Sequence, residues 1–269
     1  MKIIGLVLSG IVVLMLILWL GLQVQPQGFP ELAAGGKEVS RVALPDDLPA
    51  PVERFYEKVF GGEIPRIDTA VISGRGTMRI QGITMPVRWR FTHQVGKNYR
   101  HEIETTWFGI PILKVNELYM DGTGRLELPF GISEGPRIDQ GANLGLWSET
   151  VWMASGWITD PRVRWEAVDA DTALLIVPFE EGTQRFIVRF DPQTDLIRLM
   201  ESMRYKGEES QEKILWLNQV QEWGELNQVF TPVQIALIWF DEGTPWAELS
   251  VESVQYNLEV EDVFQEKGN

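Results

Sequence analysis

The chain holds two histidines, His93 and His101, on either side of Gly96-Lys97-Asn98. Met85, Val87, Trp89, Phe91, His93 and Val95 alternate with polar residues, and Tyr99, His101, Ile103, Thr105 and Trp107 alternate in the same way on the returning segment. Both histidines therefore fall on the apolar faces of adjacent strands. A three-residue loop with Asn98 in the left-handed region sets Val95 opposite Tyr99, His93 opposite His101 and Phe91 opposite Ile103. Two imidazoles on one face could hold zinc or copper, but such an ion needs a third protein ligand. The chain has no cysteine, and no third ligand is identifiable by spacing. The pair is therefore expected to be structural or to line a cavity, with no metal or cofactor.

Other reactive groups are sparse. No serine sits in a glycine-flanked elbow of the kind hydrolases use, so an enzyme is not expected. Glu149 is an acid within an apolar helical segment, and a buried carboxylate needs a partner. Arg54 is the candidate for a buried ion pair with it. The acid pairs Asp169/Asp171, Glu180/Glu181, Glu208/Glu209 and Asp241/Glu242 lie in turn-forming stretches and read as solvated loop charges. Gly74-Arg-Gly76 lies inside a strand pattern without phosphate-loop spacing, which indicates a bulge or a close approach of two backbones.

These residues need a sheet to carry them. Asp121-Gly122, Glu181-Gly182, Glu242-Gly243 and Asp191-Pro-Gln-Thr-Asp195 separate further alternating runs. About ten to twelve strands follow, nearly all joined to sequential neighbours, so the sheet is antiparallel and too large to stay flat. The expected fold is mainly β with few helices: a large curled antiparallel sheet, a half-barrel, with helices on its concave face. Gln140 to Trp157 is the main helical interruption, with Leu144, Trp147, Val151 and Ala154 on one stripe and Trp152 and Ser155 on a second. A helix apolar on more than one side fits inside the hollow. Its Trp147, Val151, Trp152, Met153 and Trp157, with Trp89, Phe91, His93, His101 and Trp107 from the strands, are the candidates to line a cavity. Space-filling core packing is the alternative for the same aromatics.

Ahead of the sheet lies a different chemistry. Ile3 to Leu22 carries no charge and spans about 30 Å as a helix, the thickness of a bilayer's hydrocarbon core. A cleaved signal peptide has a shorter apolar core and a small-x-small site, which Leu22-Gln-Val-Gln-Pro26 does not supply. The segment is therefore expected to be an uncleaved single-pass anchor. Lys2 and the α-amino group lie before it, while the stretch to Ala50 offers Lys37 and Arg41 against Glu31, Glu38, Asp46 and Asp47, so the domain is expected outside the cytoplasm at the cell membrane. The expected division is an anchor at 1–24, a flexible Pro- and Gly-containing linker at 25–50, the sheet domain at 51–264 and a tail at 265–269. A short helix is expected from Pro51, with Val52, Phe55, Val59 and Phe60 on one face and Gly61-Gly62 as its end. The net charge of −14 repels nucleic acid and anionic head groups.

Several runs carry a resemblance. Leu48-Pro-Ala-Pro-Val-Glu-Arg-Phe55, Glu117-Leu-Tyr-Met-Asp-Gly-Thr-Gly124, Ser148-Glu-Thr-Val-Trp152, Val163-Arg-Trp-Glu-Ala-Val168 and Trp223-Gly-Glu-Leu-Asn227 with Pro232 resemble a family of uncharacterised bacterial membrane-anchored proteins. The resemblance covers most of Pro45 to Leu258. That family is a domain of unknown function, similar in shape to the periplasmic lipoprotein-carrier and mycobacterial lipoprotein folds. It implies a hydrophobic-ligand cavity and supplies no catalytic residues. The functional expectation is thus a membrane-tethered extracytoplasmic binding module for a lipid or lipoprotein ligand. The alternative is a non-catalytic envelope scaffold with a packed interior and an unknown protein partner.

Overall fold

The computed structural model describes residues 2–32 and 39–265. Helix α1 (Lys2–Gln23) is exposed from Ile3 to Leu20 and is long and apolar enough to cross a membrane. A two-stranded ribbon pairs β1 (Arg41–Ala43) with β2 (Glu63–Pro65) around α2 (Ala50–Phe60). Proline at its start and left-handed Gly61 at its end, whose N–H donates to the Glu57 carbonyl, bound α2 as its sequence predicts. Val52, Phe55 and Tyr56 bury its inner face.

The first half of the main sheet is a meander of β3 (Thr69–Ile80), β4 (Ile83–Gln94), β5 (Asn98–Trp107), β6 (Ile110–Met120), β7 (Thr123–Leu128) and β8 (Gly131–Glu134). The second half comprises β9 (Arg164–Asp169), β10 (Thr172–Phe179), β11 (Gly182–Phe190), β12 (Ile197–Arg204), β13 (Ile214–Leu226), β14 (Val229–Trp239) and β15 (Pro245–Tyr256). Antiparallel pairing of β3 with β15 joins the halves into one 13-stranded sheet whose outer edges are β8 and β9. The chain leaves one edge and resumes at the other, so residues 135–163 must cross the hollow. They do so as α3 (Pro136–Glu149), a tight 3-10 turn over Thr150–Met153 and α4 (Gly156–Thr159). Helix α3 touches β6, β7 and β8 on one side and β10 and β12 on the other. The single helix expected over Gln140–Trp157 is thus three pieces, starting four residues earlier.

The seam between the halves explains the glycines. Gly74 and Gly76 lie opposite β15, next to an irregularity between Val251 and Ser253. A Cβ at Gly74 would overlap the Ser250 carbonyl oxygen, and one at Gly76 that of Glu248. Gly74→Ala is therefore expected to destabilise the domain by about 3 kcal/mol, because neither backbone can retreat without breaking the ladder. A denaturant midpoint unchanged from wild type would refute the close-approach assignment.

The segment expected to be a free linker behaves otherwise. Its residues 33–38 lie outside the described residues, but what precedes and follows them is docked. The Phe29 ring lies under the Arg88 and Arg90 guanidinium groups, 4.6 and 5.0 Å from its centroid. Gln255 clasps Leu32, accepting its N–H at 3.1 Å and donating to its carbonyl at 3.0 Å. The physical reason is a row of polar side chains on the sheet's outer face that supplies partners to an extended backbone. At the other terminus, α5 (Glu261–Gln265) is tied to β5 by Arg100, which donates to the Val263 carbonyl, while 266–269 of the expected tail lie outside the described residues.

Candidate functional site

The histidine hairpin turns one residue earlier than its sequence suggests. Val95-Gly96-Lys97 is the loop, with Gly96 at φ +68° and the Lys97 N–H donating to the Gln94 carbonyl. Glycine takes the left-handed position at less cost than Asn98 would. Asn98 is instead a strand residue, whose side chain donates to Gln94 Oε1 and accepts the Asp121 N–H. Consequently His93 pairs with Tyr99 and Phe91 with His101, a register two residues from the expected one. A shift of two preserves the face. His93 and His101 become diagonal neighbours, with ring centroids 6.0 Å apart, on the concave side.

Helix α3 brings the third member. The side chain of Asn143 donates to the Pro178 carbonyl and to Gln184 Oε1 in the second half of the sheet, and accepts from Tyr119 in the first. So braced, the helix ends with Glu149 above the two histidines. Its Oε2 lies 2.7 Å from His101 Nε2 and 3.2 Å from His93 Nε2. The opposite ring nitrogen, His101 Nδ1, faces Glu117 Oε2 at 3.4 Å, and Tyr99 donates its hydroxyl to Glu117 Oε1 at 2.7 Å. His101 is stacked between Phe91 and Tyr99, at 3.8 and 4.0 Å between centroids.

Charge follows from these contacts. Burial alone would push the His101 imidazole down, but Glu149 and Glu117 outweigh it and raise it to about 9. Burial would raise Glu149, yet the two histidines hold it down at about 2. Glu117 is likewise lowered against its burial, by His101, Arg204 and Tyr99. His93 moves the other way: burial dominates and keeps it neutral. It is fully buried, and neither ring nitrogen makes a hydrogen bond of proper geometry. The site is thus one imidazolium between two carboxylates, with a neutral, unsatisfied imidazole beside them.

This cluster forms the floor of a cavity of about 530 Å³. Ile103, Val115, Leu126, Trp216, Leu237 and Leu249 make apolar walls, and Arg204, Arg137 and Lys206 stand among the lining residues as cations. Helix α3 contributes Ile138, Gly141, Gly145 and Glu149, a stripe at helical spacing whose two glycines leave room. Phe130 lines the same cavity and is 70% exposed, which marks the mouth at the β7–β8 turn.

The candidates from the sequence divide accordingly. Phe91, His101 and Glu149 line the large cavity, and His93 lies against Glu149 behind them. Val151 and Trp152 border a second cavity of about 300 Å³, with Phe60, Ile67, Trp223 and Tyr256. Trp89, Trp147, Met153 and Trp157 are packed in the core, at most 1% exposed. Trp107 lies apart from all of them, donating its indole N–H to the Leu18 carbonyl of α1. Arg54 does not reach Glu149. It projects from the outer side of α2 to Asp195 at 2.7 Å and Asp171 at 3.2 Å, because the face of α2 turned to the hollow is filled by Phe55 and Tyr56. The expected Glu149–Arg54 pair is therefore replaced by Glu149 with two histidines. Glu117 and Arg204 were missed, although each is a charged residue at an inward position of an alternating strand, Val115-Glu117-Tyr119 and Met200-Ser202-Arg204.

Comparison with solved structures finds similarity to a LolA superfamily protein from Nitrosomonas europaea (12% identity, 82% of this chain and 98% of that one, TM-score 0.47). A DUF1329 family protein from Desulfovibrio piger is similar at 13% identity, over 81% of this chain and 94% of its own, with TM-score 0.44. LprF from Mycobacterium bovis is more distant, at 11% identity over 72% and 87%, with TM-score 0.22. No curated protein matches the chain. A family of unknown function, DUF6544, matches residues 37–249, and the chain belongs to that family.

Proposed function

We propose that the protein is a membrane-tethered, extracytoplasmic binding module that shelters a lipid or acyl chain between its curled sheet and α3. The observation that carries this reading is the cavity of about 530 Å³, within the size range of small-molecule sites and walled by aliphatic and aromatic side chains. A scaffold with a packed interior has no use for such a space.

The position of the mouth supports a lipid as the guest. An antiparallel meander returns to the same end at every second turn, so the β3–β4, β5–β6 and β7–β8 turns share one end of the sheet. At that end Ile83, Phe108, Ile110, Phe130 and Ile132 are exposed. The end of α1 sits there too, since the Phe108 N–H donates to the Gly21 carbonyl at 2.8 Å. Phe108 holds φ +50°, a turn position where Asn or Gly is cheaper. An aromatic there fits a tip that rests on acyl chains. The cavity then opens toward the bilayer from which α1 emerges, and Arg137 and Arg204 suit an anionic head group, while Lys206 is paired with Asp241 and Glu242.

Photo-crosslinking tests this reading. The full chain in vesicles containing a photoactivatable fatty acid or phospholipid should label peptides of β5, β6 and β7 as well as α1. Val115→Trp, which fills the cavity, should abolish the strand labelling and leave that of α1. Labelling confined to α1, or unchanged by Val115→Trp, refutes the carrier reading and favours the scaffold.

A further inference from the structure

We propose that His93, His101 and Glu149 form a binding site for one divalent transition-metal ion of the zinc class, with its remaining coordination position open to the cavity. The chain's sequence offers two histidines and no visible third ligand. The fold supplies the third from α3, roughly fifty residues away in sequence.

Four observations carry the assignment. The donor atoms of the three residues lie within 4.8 Å of one another. Ligands about 2.0–2.1 Å from a tetrahedral ion stand about 3.3 Å apart. The His93–Glu149 distance of 3.2 Å already meets this, and the His101–Glu149 distance of 2.7 Å meets it after the carboxylate retreats by a few tenths of an ångström. Second, His93 is completely buried, with both nitrogens unsatisfied and Nε2 3.2 Å from Glu149 Oε2. A buried imidazole without a partner is costly, and a metal bond at Nε2 removes much of that cost. Third, His101 presents Nε2 to the site while Nδ1 faces Glu117, which Tyr99 in turn holds. A carboxylate behind a ligating histidine is the usual second layer of a metal site, fixing the tautomer and ring orientation. Fourth, His101 and Glu149 both line the cavity, so a bound ion would meet water or a guest's anionic head on that side.

The competing description is a purely protonic cluster, in which a proton shared by His101 and Glu149 does the ion's work. That description leaves His93 unexplained. The metal takes the place of that proton, and the two carboxylates balance its charge without help from the surface.

The test uses lipid-free full chain in detergent, stripped with chelator and dialysed, so its outcome is independent of whether the cavity takes a lipid. Titration with Zn²⁺ by calorimetry, and with Co²⁺ by its visible absorption, should give one equivalent per chain. Glu117→Gln, which leaves all three ligands in place, should weaken binding by about 10–100-fold. His93→Gln should weaken it at least as much while His101 and Glu149 still pair. Substoichiometric uptake by folded wild type overturns the proposal by itself, whatever the variants do. Uptake that persists unchanged in both variants also overturns it, since the ion would then be held by surface acids.

Discussion

Truncating Trp152 to alanine is expected to lower the stability of the folded domain by about 3–5 kcal/mol, among the largest losses any single side chain here can cause. The indole is 3% exposed and stacks on Trp89, with centroids 5.7 Å apart and planes at 22°, while Phe91 lies 6.1 Å away. Its surroundings cannot collapse into the vacated space. Trp152 is in the 3-10 turn that joins α3 to α4, and its own carbonyl is pinned by the Tyr256 hydroxyl. The ring also borders a small void of about 20 Å³ and the second cavity of about 300 Å³, so its loss enlarges space that neighbours already leave unfilled. Because the indole N–H has no hydrogen-bond partner, Trp152→Phe keeps most of the packing and removes an unsatisfied donor. Its cost should stay below about 1.5 kcal/mol. Urea unfolding of the two variants should separate them clearly, and equal midpoints would mean that the ring is not a packing element.

That Trp152 lines the second cavity and not the large one shows where sequence reading stops. Period-two alternation placed His93 and His101 on the buried face, and this survived even though the loop was set one residue late, because a two-residue slip keeps the face. Turn residues located most hairpins, and the chain's edge-to-edge crossing put a helix in the hollow, as apolarity on more than one side of Gln140–Trp157 implied. The strand number was underestimated because short edge strands such as β8 have too few residues to show a period.

Which face of α3 meets the void was not legible. Tryptophans advertise burial, so they attract attention, but a cavity is made by what is small: here Gly141 and Gly145 on the stripe that ends at Glu149. The partner of Glu149 was equally hidden. Pairing an acid with an arginine uses charge alone, whereas the choice between Arg54 and the histidines depends on which side of α2 faces inward, a tertiary fact. Glu117 could have been found by the same alternation that found the histidines, since it interrupts an apolar strand face.

Replacing Glu149 with glutamine should cost about 3–5 kcal/mol near neutral pH in the presence of chelator, because it removes one partner of a buried charge pair and leaves the other. The amide can still accept one hydrogen bond, but it cannot balance the His101 imidazolium, which then faces Glu117 alone beside neutral His93 and the hydroxyl of Tyr99, with Arg204 opposing it across the cavity. The pH dependence identifies the cause. In wild type, His101 is raised to about 9 from an ordinary 6.5, so its contribution is complete below 6.5 and is lost as pH rises through 9. Glu149 is lowered to about 2 from 4.5, so its contribution is complete above 4.5 and is lost as pH falls through 2. Metal-free wild type should therefore be most stable between about pH 4.5 and 6.5 as far as this cluster is concerned, with stability falling on both sides. Glu149→Gln should lose the acid-side decline attributable to that residue and flatten the alkaline one, because His101 without Glu149 returns toward its ordinary range. Unfolding free energies from urea titrations at intervals from about pH 2 to about pH 10 span both windows and provide the comparison. Parallel wild-type and variant curves would show that Glu149 and His101 do not share a charge in the folded chain, and the cluster would then have no electrostatic hold on α3.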